Sequence, residues 1–162
     1  MTTDALTLTE APVAHAEMLI RRPPAEVFQA FADPDVTTRF WFTKSTGTLT
    51  PGAQVQWTWE MYGASTKVLV KEVEEGRRIL FQWNDDKPLT VEFRFTPYGE
   101  DATFAEVTES GHSGTGDEVV AHVAASVGGF TIVLCAAKAL LERGIELNAV
   151  RDAHPGNLVT GQ

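Results

Sequence analysis

Hydrophobic residues along this chain change their spacing twice, and the changes divide it into three parts. Residues 1–12 are small, polar and aperiodic, as expected of a flexible tail. VAHAEMLIRR (13–22) reads as a strand that ends at Pro23-Pro24. Proline suits the first turn of a helix, where its missing N–H would have had no partner. AEVFQAFA (25–32) sets Val27, Phe28 and Phe31 at helical spacing, which predicts a short amphipathic helix. Asp33-Pro34 stops it, because a residue before proline resists the α conformation. DVTTRFWF (35–42) fits either a second short helix or an extended passage.

From residue 45 the period becomes two. AQVQWTWEMY (53–62) sets Ala53, Val55, Trp57, Trp59 and Met61 on one side, and Gln54, Gln56, Thr58, Glu60 and Tyr62 on the other. STKVLVKEV (65–73), RILFQW (78–83), LTVEFRF (89–95) and ATFAEVTES (102–110) continue as strands. EEGRR (74–78), NDDKP (84–88) and PYGED (97–101) are the turns. Sequential strands with short connections usually pair as neighbours, so an antiparallel meander with one apolar face is expected. After the polar loop GHSGTG (111–116) the period returns to helical over 117–143, where Val119, Val123, Val127, Phe130, Val133, Leu134, Ala137 and Leu141 cover a broad arc. An arc that wide predicts burial around most of the helix at its centre. Asp117 and Glu118 suit its first turn, and Gly144 followed by Ile145 suits a Schellman-type end. IELNAVRDAHPGNLVTGQ leaves room for one more short helix, then the Pro155-Gly156 turn and a tail over 156–162.

The apolar face of a curved sheet must be covered, and only the long helix is large and apolar enough to cover it. An α+β fold follows: six or seven antiparallel strands gripping a long C-terminal helix, with two short helices after the first strand, as one domain over 13–155. Three of the four tryptophans, Trp57, Trp59 and Trp83, fall on the predicted inner face. Gly128-Gly129 interrupts the helix, at about 1 kcal/mol per glycine relative to alanine. Two readings stand side by side: close backbone approach or room for a ligand, and a kink that fits helix to sheet.

Composition narrows the picture. At 162 residues the chain can bury a core without disulfides or a structural metal. A net charge of −9 repels phosphate backbones and argues against a nucleic-acid partner. Cys135, the only cysteine, excludes an intrachain disulfide and reads as an inert small hydrophobe in a reducing, cytoplasmic setting. The N-terminus has neither the basic region nor the apolar core of a signal peptide. No apolar run of bilayer-spanning length is read, so no membrane insertion is expected.

The order of elements resembles the helix-grip, START-like (SRPBCC) superfamily related to the birch-pollen allergen. More closely, the chain is similar to bacterial proteins resembling the C-terminal domain of the heat-shock-chaperone ATPase activator (AHSA-type). The residues that carry this are PPAEVFQAFADPDVTTRFW (23–41), WTWEMYG (57–63), RRILFQW (77–83), VTESGH (107–112) and GGFTIVLCAAKALLERGIELN (128–148). The resemblance spans about residues 13–155. It implies a hydrophobic cavity between sheet and long helix, on a scaffold that carries many functions.

Candidate ligand-binding residues are then Trp41, Trp57, Trp59, Phe81, Trp83, Phe93, Phe95, Glu109, Phe130 and Leu134. In the triplet Phe40-Trp41-Phe42, an extended backbone would send the middle ring opposite to its neighbours. Trp41 is therefore expected at the cavity mouth, and Phe40 and Phe42 in the core. Glu109 shares strand parity with Thr103, Ala105 and Val107. The simpler reading places it solvated at the strand's wet end. The alternative is an inward carboxyl that orients a ligand or donates a proton. His112 reads as an exposed loop residue, or as one that gates a ligand. His15, His112, His122 and His154 lack metal-site spacing, so neither a metal nor a cofactor is expected.

The leading functional expectation is a module that binds a small hydrophobic or aromatic molecule. The first alternative is an enzyme resembling polyketide cyclases and aromatases, for which Glu109, Tyr62 and His112 are the polar supply. The second is a co-chaperone stimulating a heat-shock chaperone ATPase, with no companion N-terminal domain expected beside it. A homodimer is a further possible assembly.

Overall fold

A computed structural model describes residues 6–159. Of the expected tails, residues 1–5 and 160–162 lie outside the described residues. Seven strands form one antiparallel sheet: β1 (Ala14–Ile20), β2 (Lys44–Ser45), β3 (Gln54–Trp59), β4 (Ala64–Glu74), β5 (Arg78–Trp83), β6 (Leu89–Tyr98) and β7 (Ala102–Ser110), in the order β1-β7-β6-β5-β4-β3-β2. β3 to β7 are the expected meander, and β1 closes it by pairing with β7, Ala14 opposite Glu109 and Ile20 opposite Thr103. Two short helices, α1 (Pro24–Ala32) and α2 (Pro34–Thr37), follow β1. α3 (Gly116–Arg143) and α4 (Ala149–Asp152) follow the sheet. This is the α+β helix-grip fold.

Alternation in the strands became burial on one face. Val55 and Trp57 of β3, Val68 and Val70 of β4, Ile79 and Phe81 of β5, and Val91, Phe93 and Phe95 of β6 are all buried. α1 adds Val27, Phe28 and Phe31 from its amphipathic face and packs on β6 and β7. Phe31 meets Phe93 at 4.7 Å between ring centroids and Phe40 at 5.1 Å. Edge and tilted contacts of this kind add to what area burial alone supplies.

Several expectations need correction. The third strand ends at Trp59, not Tyr62. A single 3-10 turn, Glu60–Tyr62, follows it, closed by Gly63 in the left-handed region at φ 62°. That turn breaks the period of two, so Tyr62 does not belong to the outward set. β6 continues through Pro97, beyond Arg94, where its pairing with β5 ends. Proline's missing N–H is tolerated where no partner strand needs it.

α3 runs unbroken through Gly128-Gly129. A Cβ at either glycine would meet no other atom within 4 Å, so neither serves a close backbone approach. Nor is the helix buried around most of its circumference. Its C-terminal half buries Phe130, Val133, Leu134, Ala136, Ala137 and Leu140, whereas Val120 in its N-terminal half is 51% exposed. α3 is also, by length and composition, apolar enough to cross a membrane, contrary to the reading that no such run exists. In this fold it is the gripped helix, packed along β1 and against α4. Its ends are as expected. Thr115 and Glu118 form a capping box, and Gly144 at φ 66° lets the N–H groups of Gly144 and Ile145 reach the carbonyls of Leu140 and Ala139.

Candidate ligand cavity

Because the N-terminal half of α3 buries only Val119, space remains between it and the sheet. One cavity of about 370 Å³ is walled by Trp41, Trp59, Trp83 and Phe130, with Tyr62, Val133, Val150 and His154 around it. A second, of about 460 Å³, is more polar and is bounded by Glu109, His112, His122, Lys87 and Glu118. Trp59, Trp83, Ala125 and Ser126 line both, so the two meet along those side chains.

Trp41 is the hub of the apolar half. The chain from Thr38 to Phe42 is a turn, not a strand, with the N–H groups of Phe40 and Trp41 both donating to the Thr37 carbonyl. Strand parity therefore does not apply, and all three rings of the triplet are buried. Phe40 packs on Phe31, Phe42 stacks on Trp57 at 4.4 Å, and Trp41 lies 4.9 Å from Trp57 and 6.0 Å from Trp83. Thr37 supports the turn with a buried hydroxyl that donates to the Ala30 carbonyl at 2.6 Å. Trp83 and Phe130 stack at 5.9 Å across the gap between sheet and helix. One side of the cavity is formed by α4, whose Val150 and Arg151 carbonyls accept from the Tyr62 hydroxyl.

The polar half centres on Glu109. It is 2% exposed, so the solvated reading is overturned. Its carboxylate accepts from the Trp83 indole N–H at 2.8 Å through Oε2 and from the Ser126 hydroxyl at 2.5 Å through Oε1. His112 is not an exposed loop residue either. Its side chain is 3% exposed, with Nε2 3.1 Å from Glu109 Oε1. Nε2 is buried and makes no aligned hydrogen bond. At the rim, beside Lys87, Glu118 is held below its ordinary pKa by hydrogen bonding to the Thr115 side chain and then its backbone, so it is ionised at neutral pH.

Of the ten candidate residues, Trp41, Trp59, Trp83, Glu109 and Phe130 reach these cavities. Trp57, Phe81, Phe93, Phe95 and Leu134 lie beneath them in the core and line neither. Ser126, His154 and Val150 were missed. The available signal for Ser126 was a hydroxyl, one of two with Thr131, within an otherwise alanine- and valine-rich helix. The other two come from the segment after α3, which has no periodicity to read. Apart from this site, one group among the described residues has metal-ligand types close together: His15, Glu17 and Glu106, on the outer face of β1 and β7 and largely exposed.

A sheet gripping a long helix over an aromatic cavity defines a helix-grip protein. Comparison places the chain within that class. The model of the family "Activator of Hsp90 ATPase homolog 1-like protein" matches residues 21–141, and the chain belongs to that family. Among solved structures it is similar to the protein SSP2350 from Staphylococcus saprophyticus, with 26% identity and a TM-score of 0.74 over 84% of this chain and 96% of that one. It is also similar to DynU16, a protein of the dynemicin biosynthetic locus, with 23% identity and a TM-score of 0.73 over 83% and 48% of the two chains. A third likeness is to the Aha1 dimer from Colwellia psychrerythraea, with 19% identity and a TM-score of 0.71 over 82% and 98%. No significant match was found among curated proteins.

Proposed function

We propose that this protein binds a small hydrophobic, ring-bearing molecule in the cavity between sheet and α3. The supporting observation is the four-ring wall of Trp41, Trp59, Trp83 and Phe130 around about 370 Å³, with a polar group set to one side. A mostly apolar concavity with a few placed polar groups is the usual form of a small-molecule site. Trp59 and Trp83 are only half-buried, so their rings are available to a ligand. The ligand-binding role of the five core residues becomes indirect: they hold the wall. The setting we propose is cytoplasmic, supported by the single free cysteine.

The test is native mass spectrometry of gently purified protein, with an organic extract analysed beside it. We expect a discrete extra mass, or, after adding a panel of bicyclic aromatics, a bound peak that Trp83→Ala removes. If the protein binds no member of the panel and the wild type and variant behave alike, the reading fails.

The family match favours a second reading, stimulation of a heat-shock chaperone ATPase. It predicts faster ATP hydrolysis by the chaperone when this protein is added. The relative solved as a dimer makes self-association worth measuring in the same samples. A cyclase-like enzyme would have to work with Glu109, His112 and Ser126. Tyr62 is already committed to the backbone of α4.

A further inference from the structure

We propose that the segment after α3, residues 145–159, is a hinged strap at the mouth of the apolar cavity, that the Tyr62 hydroxyl is its latch, and that the ligand enters and leaves beneath it. The inference rests on the cavity reading above and assigns the entrance of that site.

Two backbone positions frame the strap. Gly144 at φ 66° closes α3, and Asn148 at φ 57° precedes α4. Glycine and asparagine are residues that accept the left-handed region, so the chain changes direction at both. Between them, Ile145 and Leu147 are exposed. α4 has no fully buried residue, and Ala149 and Val150 are partly buried against the core. Yet Val150, Ala153 and His154 all line the apolar cavity. His154 of the strap and Gly129 of α3 line it while remaining exposed, so the mouth lies between strap and helix.

The strap is received by the 3-10 turn Glu60–Tyr62 and the glycine after it. The Tyr62 hydroxyl shares its proton between the Val150 and Arg151 carbonyls. The Val159 N–H donates to the Met61 carbonyl at 2.9 Å, and the Val159 side chain rests over Gly63. Arg39 and Glu146 form an exposed ion pair at 3.9 Å, which adds little. The turn that broke the period of two is thus what aims Tyr62 at the strap.

The polar side is braced more firmly. A ligand arriving from the second cavity would pass Trp59, Trp83, Ala125 and Ser126, and two of these are hydrogen-bonded to the buried Glu109. Parting them strands a buried carboxylate, which costs more than releasing a partly exposed phenol to water. Segments with few buried contacts open first, and lids are drawn from them. The strap is therefore the wall that moves.

The test uses N-phenyl-1-naphthylamine, a neutral dye that brightens in apolar sites. Stopped-flow fluorescence gives its association and dissociation rate constants. Amide exchange of Val159, followed by NMR, reports strap opening without a ligand. Tyr62→Phe keeps the ring and removes the latch. Val159 exchange and both rate constants should rise about fivefold to tenfold, the size of one net hydrogen bond. Kd should change by less than about twofold, because the latch is made in free and bound protein alike. Asn148→Ala places alanine in the left-handed region and alters no residue that lines the apolar cavity, so it should act in the same direction. Unchanged protection of the buried Leu140 amide shows that each variant is folded. Faster Val159 exchange with unchanged dye kinetics would mean that the ligand enters elsewhere. Unchanged exchange in both variants would mean that the strap has no latch or hinge there. A Kd weakened through dissociation alone would make Tyr62 a wall contact. Each of these overturns the strap and leaves the cavity reading standing. If the wild type does not bind the dye, both fall.

Discussion

Glu109 shows how much one residue's meaning depends on its neighbours. It ends a run of inward positions on β7, Thr103, Ala105 and Val107, and it obeys their parity to the last. A buried carboxylate is tolerable only with donors around it. Trp83 supplies one from β5, Ser126 supplies one from α3, and His112 stands beside it on the following loop. The three partners join sheet, loop and helix through a single side chain. Glu109→Ala should therefore destabilise the fold by about 2 kcal/mol, because it strands the indole N–H and the serine hydroxyl in a partly buried site. Urea denaturation of the variant checks this. A loss under 0.5 kcal/mol would mean that water reaches those donors freely. Glu109 was readable as inward from parity, but not as buried, since the helix that covers it contributes nothing to the strand's own pattern.

At the scale of elements, α3 carries two tasks. Its C-terminal half packs as core, and its N-terminal half bounds a space. The glycine pair lies at the junction, just before Phe130, and both glycines face open room. Substitution by alanine at Gly128 removes a flexible residue from a helix interior without a clash. It should stabilise the protein by about 0.5–1 kcal/mol. Gly129 lines the apolar cavity, so alanine there should stabilise similarly while reducing the space for a ligand. Thermal melts and probe titrations of the two single variants separate these effects. Destabilisation by Gly128→Ala would show that the helix needs local freedom there. The helix itself was legible from its periodicity, the acidic first turn and Gly144. Which half would be covered was not, because apolar side chains in the two halves look alike to a pattern.

For the whole molecule, the outer face of the sheet and the ends of α3 carry the charge networks. Arg78 joins Glu72, Glu74 and Glu92 across neighbouring strands, and its pKa is pushed further up by the hydrogen bonds to Glu72 and Glu92. Burial raises the pKa of Glu92, but hydrogen bonds from Arg78 and Arg94 outweigh it, and the net shift is downward. Glu142 follows the same logic, with the Arg21 N–H and the Lys138 ammonium as partners. Both carboxyls thus titrate below their ordinary value of 4.5 when folded. A depressed folded pKa contributes stability above the unfolded pKa and loses it as the pH falls through the folded one. Stability should decline below pH 4.5, and Glu92→Gln should make that acid limb shallower. Urea midpoints between pH 3 and 7 measure both. An unchanged limb in the variant would rule out this network as a source of acid lability.

The sequence by itself determined the sheet, its order through the meander, and the gripping helix. Alternation at period two and recurrence at 3.6 are local consequences of having one side against a core, and they survive in a bare string of residues. The family resemblance could be read for the same reason. Tertiary structure alone decided which inward residues became wall and which became core. Trp57 and Trp59 share a strand, a parity and a side chain, yet Trp57 is 1% exposed and stacked under Phe42, while Trp59 lines both cavities. Parity tells a side chain which face to take. How deeply it is covered depends on where a helix from elsewhere in the chain lies over it, and that distance is not written in any local pattern.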